Sequence, residues 1–115
     1  MKRTAPLLAL LLLFVFSSIA YAHPPSDIKI TFDPATKILS AVIMHDVANP
    51  STHYIKQVDV GLNGKDIIIH TISSQDNLDS QTVSYLIPDA KSGDVLFVEG
   101  HCSISGKLTK EITVK

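Results

Sequence analysis

Short apolar runs separated by turn signals constrain the fold of this 115-residue chain more than any other feature. Ile28, Ile30 and Phe32 alternate with polar neighbours, as in a half-buried strand. Asn63-Gly64 lies between two apolar runs and is the strongest hairpin signal. We predict seven strands, at 27–32, 37–44, 54–62, 65–72, 81–87, 94–103 and 107–115. No stretch sustains a helical period, so the pattern favours an all-β, immunoglobulin-like, seven-stranded antiparallel β-sandwich.

Two of these runs indicate how their strands are placed in the fold. The run Ile67-Ile68-Ile69 is β-branched and apolar on both faces, which predicts a central strand rather than an edge strand. In the last run Leu108, Ile112 and Val114 are expected to point inward, because polar residues alternate with them.

The first 22 residues have the pattern of a secretory signal peptide. A basic start at Lys2 and Arg3 precedes an apolar block at 7–16 and the small-residue motif Ala20-Tyr21-Ala22. The apolar block is too short to span a bilayer. We therefore expect cleavage after Ala22 and a single metal-binding sandwich domain at 23–115, released to the periplasm or the cell exterior.

The net charge of the expected mature chain disfavours some classes of binding partner. Without Lys2 and Arg3 the chain has 8 basic and 11 acidic residues. A net negative charge argues against nucleic acid or an anionic membrane as partner. The single cysteine, Cys102, cannot form an internal disulfide, so it is a buried thiol, an intermolecular link or a metal ligand.

Histidines at the ends of strands are the candidates for chemistry. His45 and His53 flank a loop containing Asn49-Pro50, a turn-favouring dipeptide, so both rings are expected at one rim of the fold. There they are either two solvated loop histidines or two ligands of one metal. His23 would be the mature N-terminus, where an imidazole and a free α-amine together can chelate copper, or else a frayed end.

The remaining candidates are weaker. His101 and Cys102 are neighbours on one strand and should face opposite ways, and the thiolate is the softer metal ligand. His70 lies within an isoleucine-rich strand and is expected to be an ordinary sheet residue. Asp46 could orient the His45 imidazole, although a loop aspartate is commonly just solvated. We find no nucleophile-base spacing, phosphate loop or carboxylate pair.

Three motifs resemble the iron domain of the superoxide reductase family, the desulfoferrodoxin and neelaredoxin group. They are His23-Pro24-Pro25, His45 with His53-Tyr54-Ile55, and Cys102-Ser103-Ile104-Ser105-Gly106, in the family's order and over most of residues 23–115. The resemblance implies an immunoglobulin-like sandwich with a mononuclear non-haem iron. Its equatorial ligands would include His23, His45 and His53, and Cys102 would be the axial ligand.

The chain departs from the family pattern at several positions. Ser105 stands where the fourth histidine is expected, the loop between His45 and His53 is two residues longer, and Asp46 replaces a proline. The family's Glu-Lys pair before the first histidine, whose lysine draws superoxide toward the metal, would be Tyr21-Ala22. Superoxide or another small oxidant is the implied substrate, with an unidentified electron donor. Copper or zinc are alternative metals, and a homo-oligomer is compatible with the sequence.

Two other functions fit the same residues. One is a sulfur-oxidation accessory subunit of the Sox carrier type, whose hairpin resembles Asn63-Gly64-Lys65. Cys102 counts against it, because in that family the partner supplies the reactive cysteine. The other is a structural sandwich with degenerate metal residues.

Overall fold

The computed structural model describes residues 23–115, and the predicted signal peptide at 1–22 lies outside the described residues. The prediction of seven strands is confirmed. They are β1 Asp27–Asp33, β2 Ile38–Met44, β3 Ile55–Leu62, β4 Lys65–Thr71, β5 Ser80–Leu86, β6 Val95–Cys102 and β7 Lys107–Thr113. Across residues 23–115 there is no helix, and thus none long and apolar enough to cross a membrane.

The strands form two antiparallel sheets. The three-stranded sheet has the order β1-β2-β5, and the four-stranded sheet has the order β4-β3-β6-β7. Every paired strand runs antiparallel to its neighbour. The chain passes from one sheet to the other between β2 and β3, between β4 and β5, and again between β5 and β6.

The hairpin between β3 and β4 turns where the sequence predicts it. Asn63 and Gly64 both have positive φ, of 52° and 83°. Two consecutive residues with positive φ are typical of a type I′ turn, whose twist matches that of the strands it joins. The Asn63 side chain also accepts a 2.9 Å hydrogen bond from the Val95 amide, which ties the turn to the start of β6.

Apolar side chains from both sheets form one core. The predicted alternation in β1 is confirmed, with Ile28 buried and Ile30 and Phe32 packed against the core. The inward residues predicted for the last run are confirmed as well: Leu108 and Ile112 of β7 pack against the core, and Val114, just after β7, is buried. The fully buried apolar residues of the strands are Leu39, Ile43, Ile55, Val58, Val60, Leu96 and Val98. The core therefore lies between β2 of one sheet and the central pair β3 and β6 of the other.

The prediction of a central strand for Ile67-Ile68-Ile69 is wrong. β4 is an edge strand, paired with β3 on one side only. Ile67 and Ile69 are 42% and 64% exposed, while Ile68 packs against the core. A β-branched run satisfies the steric preference of any strand, but it does not determine which strands pair on both sides.

We expect two isoleucines to differ sharply when they are replaced with alanine. Ile43→Ala should lower the free energy of unfolding by about 2–5 kcal/mol, because it leaves a cavity in the core. Ile69→Ala should change it by no more than about 0.5 kcal/mol, because that side chain is on the exposed edge. Urea unfolding followed by circular dichroism measures both values. Equal losses would contradict the assignment of β4 to an edge.

Candidate metal centre

Antiparallel pairing gathers four predicted ligands at one end of the fold. Asp27 at the start of β1 pairs with Met44 at the end of β2, so His23 and His45 meet there. Ile55 at the start of β3 pairs with Cys102 at the end of β6. His53, two residues before Ile55, is thereby placed at the same end.

Three of the four form a compact cluster. His23, His45 and His53 each offer a ligand atom, and these atoms lie within 4.8 Å of one another. Their ring centroids are 4.9, 5.0 and 4.8 Å apart, with tilted or edge-on planes. We call His23, His45 and His53 the histidine cluster. Cys102 is not among the residues that share this 4.8 Å limit.

Packing of the N-terminal segment positions His23. Pro25 is buried, and a Cβ added to Gly106 would lie only 2.9 Å from the Pro24 Cβ. Gly106 also has a φ of 88°, which favours glycine. Pro24 therefore lies against the loop after β6. The Nδ1 of His23 donates a 3.1 Å hydrogen bond to the Pro24 carbonyl, and this leaves Nε2 as the atom available to a metal.

His45 is fully buried and its orientation is determined by Gln75. The Gln75 Nε2 donates to the carbonyls of His45 and Asn77, at 2.7 and 3.0 Å. The Gln75 Oε1 must then be an acceptor, and it receives hydrogen bonds from the His45 Nδ1 at 2.9 Å and the Ile55 amide at 3.2 Å. A neutral His45 that donates from Nδ1 has its lone pair on Nε2. In the structure this Nε2 lies 3.1 Å from the His23 carbonyl oxygen, so a metal bound there would have to displace that carbonyl.

The loop that carries Gln75 is itself attached to the segment after β2. The amides of His45 and Val47 donate to the carbonyls of Asp79 and Leu78, both at 2.8 Å. Asp46 points elsewhere: it is exposed and lines the cavity beside the cluster. The orienting role predicted for Asp46 thus belongs to Gln75, a residue that the sequence analysis did not identify.

In the histidine cluster, His53 is the residue that has a ring nitrogen without a hydrogen-bond partner. Its Nε2 is buried and has no hydrogen-bond partner, unlike every other buried side-chain nitrogen or oxygen of residues 23–115. Burial lowers the pKa of His53 below 6.5, and the charges of His45 and His23 lower it further. A buried polar atom without a partner is costly, and a metal ion is one group that could satisfy it.

Pairing of β6 with β3 brings Cys102 to the end of the fold that holds the histidine cluster. It is buried, and its Sγ accepts a 3.4 Å hydrogen bond from the Ile104 amide. The next residue, Ser103, exchanges two hydrogen bonds with Tyr54, which follows His53. Ser105 is exposed and contributes no ligand atom to the histidine cluster.

The other two histidines lie elsewhere. The Nδ1 of His70 is 2.8 Å from the Tyr85 hydroxyl, a contact between the edges of the two sheets. Burial raises the pKa of Tyr85 to about 12. His101 faces away from Cys102, as predicted, and contacts Asp59 and Glu99.

The histidine cluster borders an open cavity of about 470 Å³. His23, His53, Asp46, Val47 and Ala48 line it. A metal held by the three imidazoles would therefore be accessible to a small molecule from this side.

Comparisons of the chain with protein-family models, with curated proteins and with solved structures find no match. The resemblance to the superoxide reductase family remains a prediction that rests on the three motifs.

Replacing Gln75 with leucine should weaken metal binding by about 10- to 100-fold, the usual effect of removing a group that orients a ligand. Without Oε1, His45 is free to place its hydrogen on either nitrogen. Competition with a coloured chelator measures the affinity, and nitrogen chemical shifts of His45 report the tautomer. Gln81→Leu is the matched control, because Gln81 is also buried and bonds Asp76 in the same loop. Equal affinities for the two variants would contradict this role.

Proposed function

We propose that residues 23–115 form an exported, superoxide-reductase-like domain that binds one mononuclear iron through His23, His45, His53 and Cys102. The observation that carries the proposal is the histidine cluster with the buried, unpartnered Nε2 of His53. Export is included because residues 1–22 have the pattern of a signal peptide.

Three imidazoles fit a divalent transition metal. Neutral imidazole suits iron, copper and zinc, and it is a poor ligand for calcium or magnesium. The hydrogen bonds on the Nδ1 atoms of His23 and His45 leave Nε2 as the ligand atom of each ring, and a metal would take the place of the His23 carbonyl oxygen that lies 3.1 Å from the His45 Nε2. The rings are thus oriented before a metal binds, and the reorganisation that binding requires is movement of the His23 carbonyl away from the His45 Nε2.

Cys102 would supply the soft donor that distinguishes this site from a purely histidine-ligated one. Its burial and the amide hydrogen bond to its sulfur are features that adjust the electronic properties of a thiolate ligand. The sulfur lies outside the 4.8 Å group, so iron binding by this side chain is tested separately from binding by the histidines.

Bound ferrous iron would supply one electron, which with two protons converts superoxide to hydrogen peroxide, and an external donor would restore the reduced state. The cavity beside His23 and His53 would admit the small oxidant. Asp46, which stands where the family pattern has a proline, places a carboxylate at the cavity wall. Its charge disfavours an anion, so we expect slower association with superoxide than a lysine at the site would give.

The strand order supports the finer assignment of an immunoglobulin-like sandwich. In such folds strands A, B and E share one sheet, and strands G, F and C share the other, with an added strand C′ beside C. The sheet β1-β2-β5 then corresponds to A-B-E. The sheet β4-β3-β6-β7 corresponds to C′-C-F-G, so both strand orders match this arrangement.

A second candidate is a non-catalytic accessory subunit, such as a carrier partner of the Sox type. It is favoured by three exposed apolar residues on the edge strands: Ile67, Ile69 and Leu86, at 42%, 64% and 62% exposed. A melting temperature unchanged by metal would support this candidate, because a ligand that binds only the folded state must raise stability.

The test uses protein purified after export of the full chain. We expect an N-terminus at His23, about one tightly bound iron per chain after anaerobic loading, and a visible thiolate-to-iron charge-transfer band in the oxidised state. His53→Ala should lose the iron. Cys102→Ser should retain iron but lose both the band and superoxide reduction, while the control His70→Ala changes neither. Absence of the band from iron-loaded protein would rule out the thiolate ligand.

A further inference from the structure

A second group of ligating side chains lies on the outer face of the four-stranded sheet. Asp59 is on β3, and Glu99 and His101 are on β6. Asp59 pairs directly with Glu99, and His101 is two residues further along the same strand, so all three share one face. Val58, Val60 and Val98 alternate with them and point into the core. We call Asp59, Glu99 and His101 the carboxylate-histidine triad.

One atom of each side chain converges on a common point. The His101 Nε2 is 3.0 Å from the Asp59 Oδ2 and 3.0 Å from the Glu99 Oε1. The ligand atoms of the three residues lie within 4.8 Å of one another. The geometry therefore supplies one nitrogen and two oxygens without a change of rotamer.

The other oxygen of each carboxylate is held by a neighbour. The Gln57 Nε2 donates a 2.8 Å hydrogen bond to the Asp59 Oδ1, and the Thr109 hydroxyl donates to the Glu99 Oε2. These bonds orient the free oxygens toward His101. Such outer partners are what a metal site needs to keep its ligands in place.

Burial and charge indicate a cation at this point. Asp59 is only 7% exposed, although it is on the outer face of the sheet. Two carboxylates directly opposite each other on neighbouring strands repel. Besides His101, the cationic group near them is Lys107, whose Nζ lies 3.6 Å from the Glu99 Oε1 and whose side chain is largely exposed. A dication bound among the three ligands would neutralise both carboxylates.

We propose that the carboxylate-histidine triad is a second metal site, for a divalent transition metal such as zinc or manganese. The imidazole makes calcium and magnesium poor occupants, and the lack of sulfur makes copper(I) a poor one. The site shares no residue with the histidine cluster, and His101 and Cys102 face opposite sides of β6. Both carboxylates and the imidazole lie on β3 and β6, the two central strands of the sheet, and ligands on strands are held more precisely than ligands on loops.

Zinc is the probe, and the exported full-chain protein is stripped with chelator before titration. We expect about two zinc ions per chain, measured by calorimetry and by metal analysis after gel filtration. Glu99→Gln should abolish the second site and leave the first, while His53→Ala should abolish the first and leave the second. Glu111→Gln, an exposed carboxylate on β7, is the matched control and should bind zinc as the unaltered chain does.

The number of zinc ions bound by each variant distinguishes failure of the triad proposal from failure of the function proposed for the histidine cluster. If Glu99→Gln and the unaltered chain bind the same number of zinc ions, the triad is an ion pair in which His101 alone balances the carboxylates, and the proposal is overturned. If only the Glu99-dependent zinc is found, the triad is a metal site and the function proposed for the histidine cluster fails. His101→Gln, checked for folding by circular dichroism, gives the same answer should Glu99→Gln fail to fold.

Discussion

Antiparallel register at one end of the sandwich is the constraint on which the candidate centre depends. Asp27 pairs with Met44, and Ile55 pairs with Cys102, so the start of β1, the end of β2, the start of β3 and the end of β6 are brought together. A shift of one residue in either pairing would turn the side chains of that strand to the other face. The core residues Ile43 and Ile55, both fully buried, hold the register that places His45 and His53.

Orientation of the rings depends on a separate interaction, the contact between His45 and Gln75. One amide side chain bonds the His45 ring, the His45 carbonyl and the Ile55 amide, and so links the end of β2 to the start of β3. The His45 ring is thereby held beside the His53 ring, with ring centroids 4.8 Å apart, and the Nε2 of His53 has no hydrogen-bond partner. The histidine cluster thus combines a ring held by Gln75, that of His45, with His23 on the N-terminal segment and His53 on a loop.

Much of this arrangement could be predicted from sequence, because it follows from local patterns. Alternation predicted the strands, Asn63-Gly64 predicted the hairpin, and strand ends predicted that His45 and His53 lie together. Gln75 could not be predicted, because it lies in a polar loop without a pattern and acts on a residue 30 positions away. The edge position of β4 and the meeting of Asp59 with Glu99 depend on which strands pair, and in what register, which local patterns do not specify.

X-ray absorption at the iron edge tests the central claim most directly. Iron-loaded Glu99→Gln protein, in which the carboxylate-histidine triad is disabled, should show imidazole scattering from three histidines and a shell of one sulfur ligand. His53→Ala should lose that signal together with the iron. An iron shell of oxygen alone, with neither imidazole nor sulfur, would contradict a metal centre built from His23, His45, His53 and Cys102.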